Sequence, residues 1–138
     1  MLTYAISARR DAPQGSHAEV RAGRLVLDTS LAGRIDAFNP VELLLAALAA
    51  CMIKGVERAA PMLKFGFSGV RVELTAERQD APPKLTTIGY VLVVETEESD
   101  RRLELLHTNV RKYGTISNTL AGAVALSGTI ERAGSAER

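Results

Sequence analysis

The chain has 138 residues, 24% of them charged, with 17 Lys and Arg against 16 Asp and Glu and a single cysteine. That length fits one domain with a real core, the near-zero charge balance gives no field to hold the chain on nucleic acid or an anionic membrane, and one cysteine cannot build an intrachain disulfide. The N-terminal MLTYAISARR lacks the apolar core of a secretory signal, which together with the lone thiol indicates a reducing, cytoplasmic setting.

TYAISARR and EVRAGRLVLD alternate apolar with polar residues around the turn-prone DAPQGSH, so an antiparallel hairpin of two strands is predicted. TSLAGRIDAFNP has no sustained period and reads as a loop. Asn39 is a good N-cap and Pro40 suits the first helical position, where its missing N–H would have had no partner anyway. From Val41 to about Ala60 the residues are mostly Ala and Leu, strong helix formers, apolar nearly all round, and Pro61 is expected to end the helix. The run Leu43 to Ile53 is about half the roughly 20 residues a membrane-spanning helix needs. It reads as a buried helix, and a small monomer has little structure to cover it, which predicts a homodimer.

GVRVELTAERQ places Val70, Val72, Leu74 and Ala76 on one face of a half-buried strand. After the turn DAPP, KLTTIGYVLVVETE is apolar in both registers, as expected of a more central strand paired with the first. Leu103, Leu106, Val110 and Tyr113 lie at helical spacing, with Ser99 as cap and Gly114 as a left-handed terminator. TISNTLAGA fits a short helix from Thr115, VALSGTIER a last strand, and 133–138 a frayed tail. Hairpins and helices in separate runs predict a single α+β domain over 1–138 with mainly antiparallel pairing.

Few residues carry chemistry. His17 is assigned to a turn and His107 to the polar side of its helix, neither at metal-ligand spacing, so no metal or cofactor is expected. GFSG at 66–69 is followed by a strand and holds no basic residue, which excludes an RNA-binding loop. Ser117, Asn118 and Thr119 read as helix-capping residues without a histidine–acid pair. Cys51 stands in apolar surroundings, where a free thiol usually packs and stays inert.

NPVELLLAALAAC at 39–51 and GTISNTL at 114–120, together with the order of elements, resemble the OsmC/Ohr family, whose motifs run N-P-x-E-L-L-x-A-A-L-x-x-C and C-P-[IV]-S-N-T-L. The resemblance spans about residues 18–132. It implies an intertwined homodimer with antiparallel sheets around long central helices, and it puts Cys51 at the position of the cysteine that attacks organic hydroperoxides. Two departures stand out. Gly114 and Thr115 occupy the places of the second, resolving cysteine and its proline, and Val41 occupies the place of the glutamate that follows the N-P pair. Glu42 matches a branch with an ELL motif. The arginine that activates the thiol in the family corresponds best to Arg10, with Arg9, Arg21 and Arg24 as the other candidates.

Glu42 lies about 13 Å and roughly 180° from Cys51 along a straight helix, so it assists Cys51 only across a dimer or through a bend, and its plainer role is at the N-terminus of its own helix. Two functions follow. One is a thiol-dependent reductase of organic hydroperoxides with Cys51 as sole nucleophile, Arg10 and, across the dimer, Glu42 as its candidate assistants and an external thiol as reductant. The other is a non-catalytic dimer of the same fold that binds a small apolar or thiol-containing ligand.

Overall fold

The structure, a computed structural model, describes residues 1–134. Of the tail expected to fray, 135–138 lie outside the described residues, while Ala133 is tied down by its N–H, which donates to Val94 O at 2.8 Å. The chain divides into two compact units, Met1–Ala46 and Ala47–Arg138.

In the first unit, β1 (Ser7–Ala12), β2 (Gly15–Val20) and β3 (Gly23–Leu27) form an antiparallel sheet in that order. The expected hairpin is therefore a three-stranded meander. EVRAGRLVLD, read as one strand, folds back on itself, with Val20 opposite Gly23. Arg21 makes that turn in the left-handed region, at φ 53°, a conformation that nothing in its side chain advertises. His17 is correspondingly not on a turn. It is buried on β2 with Nδ1 2.7 Å from Asp11 Oδ2 and Nε2 3.0 Å from Glu19 Oε1. The hydrogen bond from His17 is the main cause that holds the Asp11 carboxyl below the ordinary carboxylate range.

α1 (Pro40–Leu63) begins where Asn39-Pro40 predicts. The Asn39 side chain accepts the Glu42 N–H at 2.9 Å and the Glu42 carboxylate accepts the Asn39 N–H at 2.9 Å, a reciprocal capping box that satisfies two donors the helix leaves unpaired. Asn39→Ala and Glu42→Ala are each expected to cost about 1 kcal/mol in denaturant unfolding. Glu42→Gln, which can still reach back to the Asn39 N–H, should cost less. Pro61 does not end the helix, which runs two residues further. A proline forfeits its own hydrogen bond and crowds the carbonyl four residues back, costs that do not stop the helix from completing its last two residues. The end is set instead by Lys64, left-handed at φ 52°, with Lys64 N–H donating to Pro61 O at 3.3 Å and Phe65 N–H to Ala60 O at 2.9 Å. That is a Schellman ending with lysine where glycine is usual.

In the second unit, β4 (Gly69–Asp80), β5 (Pro83–Glu95) and β6 (Ala125–Arg132) form a sheet of that order, β5 in the centre. β4 pairs with β5 antiparallel, but β6 runs parallel to β5, with Tyr90 beside Gly128. Mainly antiparallel pairing thus holds with this exception, which follows from α2 (Asp100–Tyr113) and α3 (Thr115–Ala121) lying between the two strands and carrying the chain back to the starting edge. Met52, Val56 and Ala59 of α1, Ile88, Leu92 and Val94 of β5 and Leu103, Leu106 and Val110 of α2 are buried. Ser99 caps α2 as predicted, its side chain accepting the Arg102 N–H. Among the described residues no helix is long and apolar enough to cross a membrane.

His107 is not on a polar face. It is largely covered, Nε2 2.5 Å from the Tyr90 hydroxyl, which also accepts from Arg111 Nη1 at 3.1 Å. With arginine donating to the phenol oxygen, the phenol proton goes to a neutral imidazole. Burial pushes the His107 pKa down. The unfolded chain then binds the proton more readily than the folded one, so this residue's effect is absent well above pH 6.5 and stability is lost as pH falls below it. A urea midpoint that declines below about pH 6.5 in the parent, and declines less in His107→Gln, is the expected result.

Candidate functional site

Cys51 lies in the middle of α1, free and half-buried, between the fully buried Leu48 one turn before it and the exposed Lys54 one turn after. Its sulfur accepts a hydrogen bond from the Ile116 N–H at 3.4 Å. Ile116 is in the first turn of α3, where the backbone donors have no partner inside the helix, and the cap residue Gly114 supplies no side-chain bond. The thiol therefore takes up a donor that the short helix leaves open. Two sequence stretches 65 residues apart, the helix with the cysteine and the segment GTISNTL, meet at this bond.

Gly114 is not left-handed as predicted. It is extended, at φ −80° and ψ 115°, because the chain turns directly from α2 into α3 with this one residue between them. What requires glycine is space: a Cβ here would lie 2.9 Å from Val110 O and 3.1 Å from Ser117 Oγ. Gly114→Ala is expected to cost about 1–3 kcal/mol by overpacking, and any Gly114→Cys variant carries the same penalty before its thiol does anything. Dithiol-dependent hydroperoxide consumption by Gly114→Cys therefore has to be read against Gly114→Ala of matched stability.

Ser117, Asn118 and Thr119 do not cap α3 as expected. Ser117 Oγ is buried without a hydrogen-bond partner among the described residues. The Asn118 side chain donates to Lys112 O at 3.1 Å and ties α3 to the end of α2, while the Thr119 hydroxyl donates back to Thr115 O at 2.8 Å.

Of the other predicted residues, Arg10 stands on β1 opposite Ser16 in the first unit, exposed, as does Arg9 opposite His17. Arg24 pairs with Glu19 at 3.3 Å, and Arg21 makes the β2–β3 turn. Glu42 is engaged in the capping box. Among the described residues no group of three or more His, Cys, Asp or Glu is arranged to hold a metal ion.

Sequence reasoning missed an arginine within the second unit. Arg58 follows Cys51 by seven residues, two turns on along the same helix face, and its guanidinium folds back along that face. Nη2 comes within 3.7 Å of the point where a side chain at Gly55 would begin. Gly55 is one turn from Cys51, so the guanidinium lies within about 10 Å of the Cys51 β-carbon. The i, i+4, i+7 pattern of Cys, Gly and Arg was the available signal.

Both motifs meet at one place on an α+β scaffold, around the single cysteine. The family model described as OsmC-like protein matches residues 33–127, and the chain belongs to the OsmC family. Solved structures agree on the fold. An OsmC-like protein from Mycoplasma pneumoniae superposes with a TM-score of 0.85 at 20% identity, over 95% of this chain and 97% of that one. An organic hydroperoxide resistance protein OsmC from Legionella pneumophila gives 0.75 at 21% identity, over 95% and 99%. The organic hydroperoxide resistance protein OhrB of Bacillus subtilis gives 0.67 at 19% identity, over 94% and 98%. No curated protein sequence matches the chain at a significant level.

Proposed function

We propose that the protein is a thiol-dependent organic hydroperoxide reductase that uses Cys51 as its only redox thiol. The observation that carries this reading is the Ile116 N–H on the Cys51 sulfur, a backbone donor fixed beside the atom that would carry charge. In the reaction the Cys51 thiolate attacks the distal oxygen of ROOH. An S–O bond forms, the O–O bond breaks, and the alkoxide leaves as ROH after taking a proton. Cys51 is oxidised to the sulfenic acid.

No second cysteine exists in the chain, so an external thiol R′SH attacks that sulfur, an S–S bond forms and water leaves. A second R′SH then releases R′SSR′ and the Cys51 thiol. The Ile116 N–H keeps the sulfur oriented through these steps. Arg10, with Arg9, Arg21 and Arg24 as alternatives, is the cation assigned to the thiolate, and Glu42 is assigned to it only from a second copy of the chain.

The working species in this reading is a cytoplasmic homodimer. It is supported by Leu25, Val26, Leu31, Ile35 and Phe38 of the first unit, large apolar side chains left exposed on one chain. A folded monomer in light scattering at micromolar concentration would remove this part.

Equimolar cumene hydroperoxide should add one oxygen to Cys51 within the time in which hydrogen peroxide and an unfolded control add little, as read by mass spectrometry. Adding thiol should return the protein to its reduced mass with net consumption of hydroperoxide, and Cys51→Ser should consume none. A second reading, a dimer that binds a small apolar or thiol-containing ligand without turnover, draws on Val41 at the motif glutamate's place and Gly114 at the second cysteine's. Oxidation of Cys51 no faster than in the unfolded control would move the conclusion to it.

A further inference from the structure

We propose that Arg58, Tyr113 and Lys112 form a docking point for the acidic end of the small thiol that reduces oxidised Cys51, so that the external reductant is an anionic, carboxylate-bearing thiol. This rests on the reading of Cys51 as a redox thiol. Arg58 Cζ lies 5.9 Å and Lys112 Nζ 5.4 Å from the centre of the Tyr113 ring, which is itself 55% exposed. Two cations thus share one aromatic ring in water, each within cation–π range. Tyr113 is the last residue of α2, three residues before the Ile116 whose N–H holds the Cys51 sulfur.

The Arg58 arm lies back over the helix toward the thiol, its Nη2 3.7 Å from where a side chain at Gly55 would begin and 3.4 Å from Asn109 Oδ1 of α2. The charge is also uncommitted. Ion pairs in the second unit involve Arg71, Arg78, Arg102, His107 and Arg132; Arg58 and Lys112 have no carboxylate partner among the described residues, and they share this with Lys54, Lys64, Lys84, Arg101 and Arg111, from which their common place at the Tyr113 ring sets them apart. Glu57, the adjacent acid on α1, points about 100° away around the helix from Arg58. A tripeptide thiol extends about 10 Å, and with its sulfur, which sits on the middle residue, at Cys51, a terminal carboxylate reaches several ångströms toward the Arg58 guanidinium.

The reactions are those of the reductive half. The thiol attacks the Cys51 sulfenic acid, water leaves, and the mixed disulfide is then cleaved by a second thiol. The first attack, on the Cys51 sulfur, can be measured without any hydroperoxide, because a thiol that meets a Cys51 pyridyl disulfide forms a bond to that sulfur and expels pyridine-2-thione as the leaving group. Cys51 is converted to its pyridyl disulfide with uncharged dipyridyl disulfide, and cleavage by glutathione is compared with cleavage by uncharged 2-mercaptoethanol. Arg58→Gln/Lys112→Gln should slow glutathione about fivefold at low salt, as expected for removing two partly screened charges beside an anion, and change 2-mercaptoethanol less than twofold. Arg58→Lys should behave as the parent, and added salt should slow glutathione in the parent but not in the double variant.

Equal slowing of both thiols, no slowing of either, or failure of native Cys51 to take up the pyridyl group overturns the proposal. Charge-selective cleavage in a protein that consumes no hydroperoxide would sink the peroxidase reading and keep the docking point. Hydroperoxide turnover with equal thiol dependence in parent and double variant would do the reverse.

Discussion

Gly128→Val is expected to prevent the second unit from folding. Gly128 sits on β6 directly beside Tyr90 of β5, and a Cβ there would meet the Tyr90 Cε1 and Cγ atoms at 2.5 Å, far inside contact distance. The ring has nowhere to go. It is 3% exposed, its hydroxyl is fixed by His107 and Arg111, its edge meets the His107 ring at 5.7 Å, and the Arg111 guanidinium lies 5.7 Å from its centre. One added methyl in a packed site typically costs 1–3 kcal/mol, and the two further methyls of valine add to that, against a total stability of roughly 5–15 kcal/mol for a domain. Far-UV circular dichroism and expression in the soluble fraction test it. Gly128→Ala should lie between valine and the parent, and should be partly relieved when Tyr90 is changed to Leu, since the two residues share one contact.

Leu48→Asp is the second change with a large expected effect. Leu48 is fully buried within a single chain, so a carboxylate there is an unpaired buried charge costing several kcal/mol, and even Leu48→Ala should cost about 2–5 kcal/mol. Loss of the helical signal at every protein concentration is the expected outcome. Because Leu48 is covered by its own chain, its failure reports on the chain and not on a dimer. Leu44, only half-buried in one chain, is the separate probe: if a second copy covers it, Leu44→Asp lowers the molecular mass seen by light scattering, whereas an unchanged mass with retained fold would oppose a dimer contact there.

Much of the scaffold was legible because its signals are local. Asn39, Pro40 and Glu42 announce the start of α1 by capping chemistry, and the two registers of KLTTIGYVLVVETE announce a strand covered on both faces. The failures share a cause in backbone conformations that side chains do not encode. Arg21 and Lys64 are left-handed without being glycine, and Gly114 is glycine without being left-handed. The first of these hid a strand and the second the true end of α1. The parallel partner of β5 was invisible for another reason, since strand pairing is decided by which edge a crossover returns to. At the site, the motifs located Cys51 and its facing segment. Arg58 went unnoticed because no motif includes it and its approach is set by the conformation of a long side chain seven residues on from Cys51.

The parallel crossover also sets an order of events during synthesis. α3 packs against α2 and β6, and β6 enters the sheet only beside β5, so the amide that holds the thiol is in place only after the last strand has been made. A ribosome adding about 5–20 residues per second needs several seconds to go from Cys51 to the end of β6. For the part of that interval after Cys51 has left the ribosome, the nascent chain carries its thiol without the amide partner it has in the finished fold. The newly made chain, rather than the finished protein, is therefore the stage at which adventitious capping of Cys51 is least hindered.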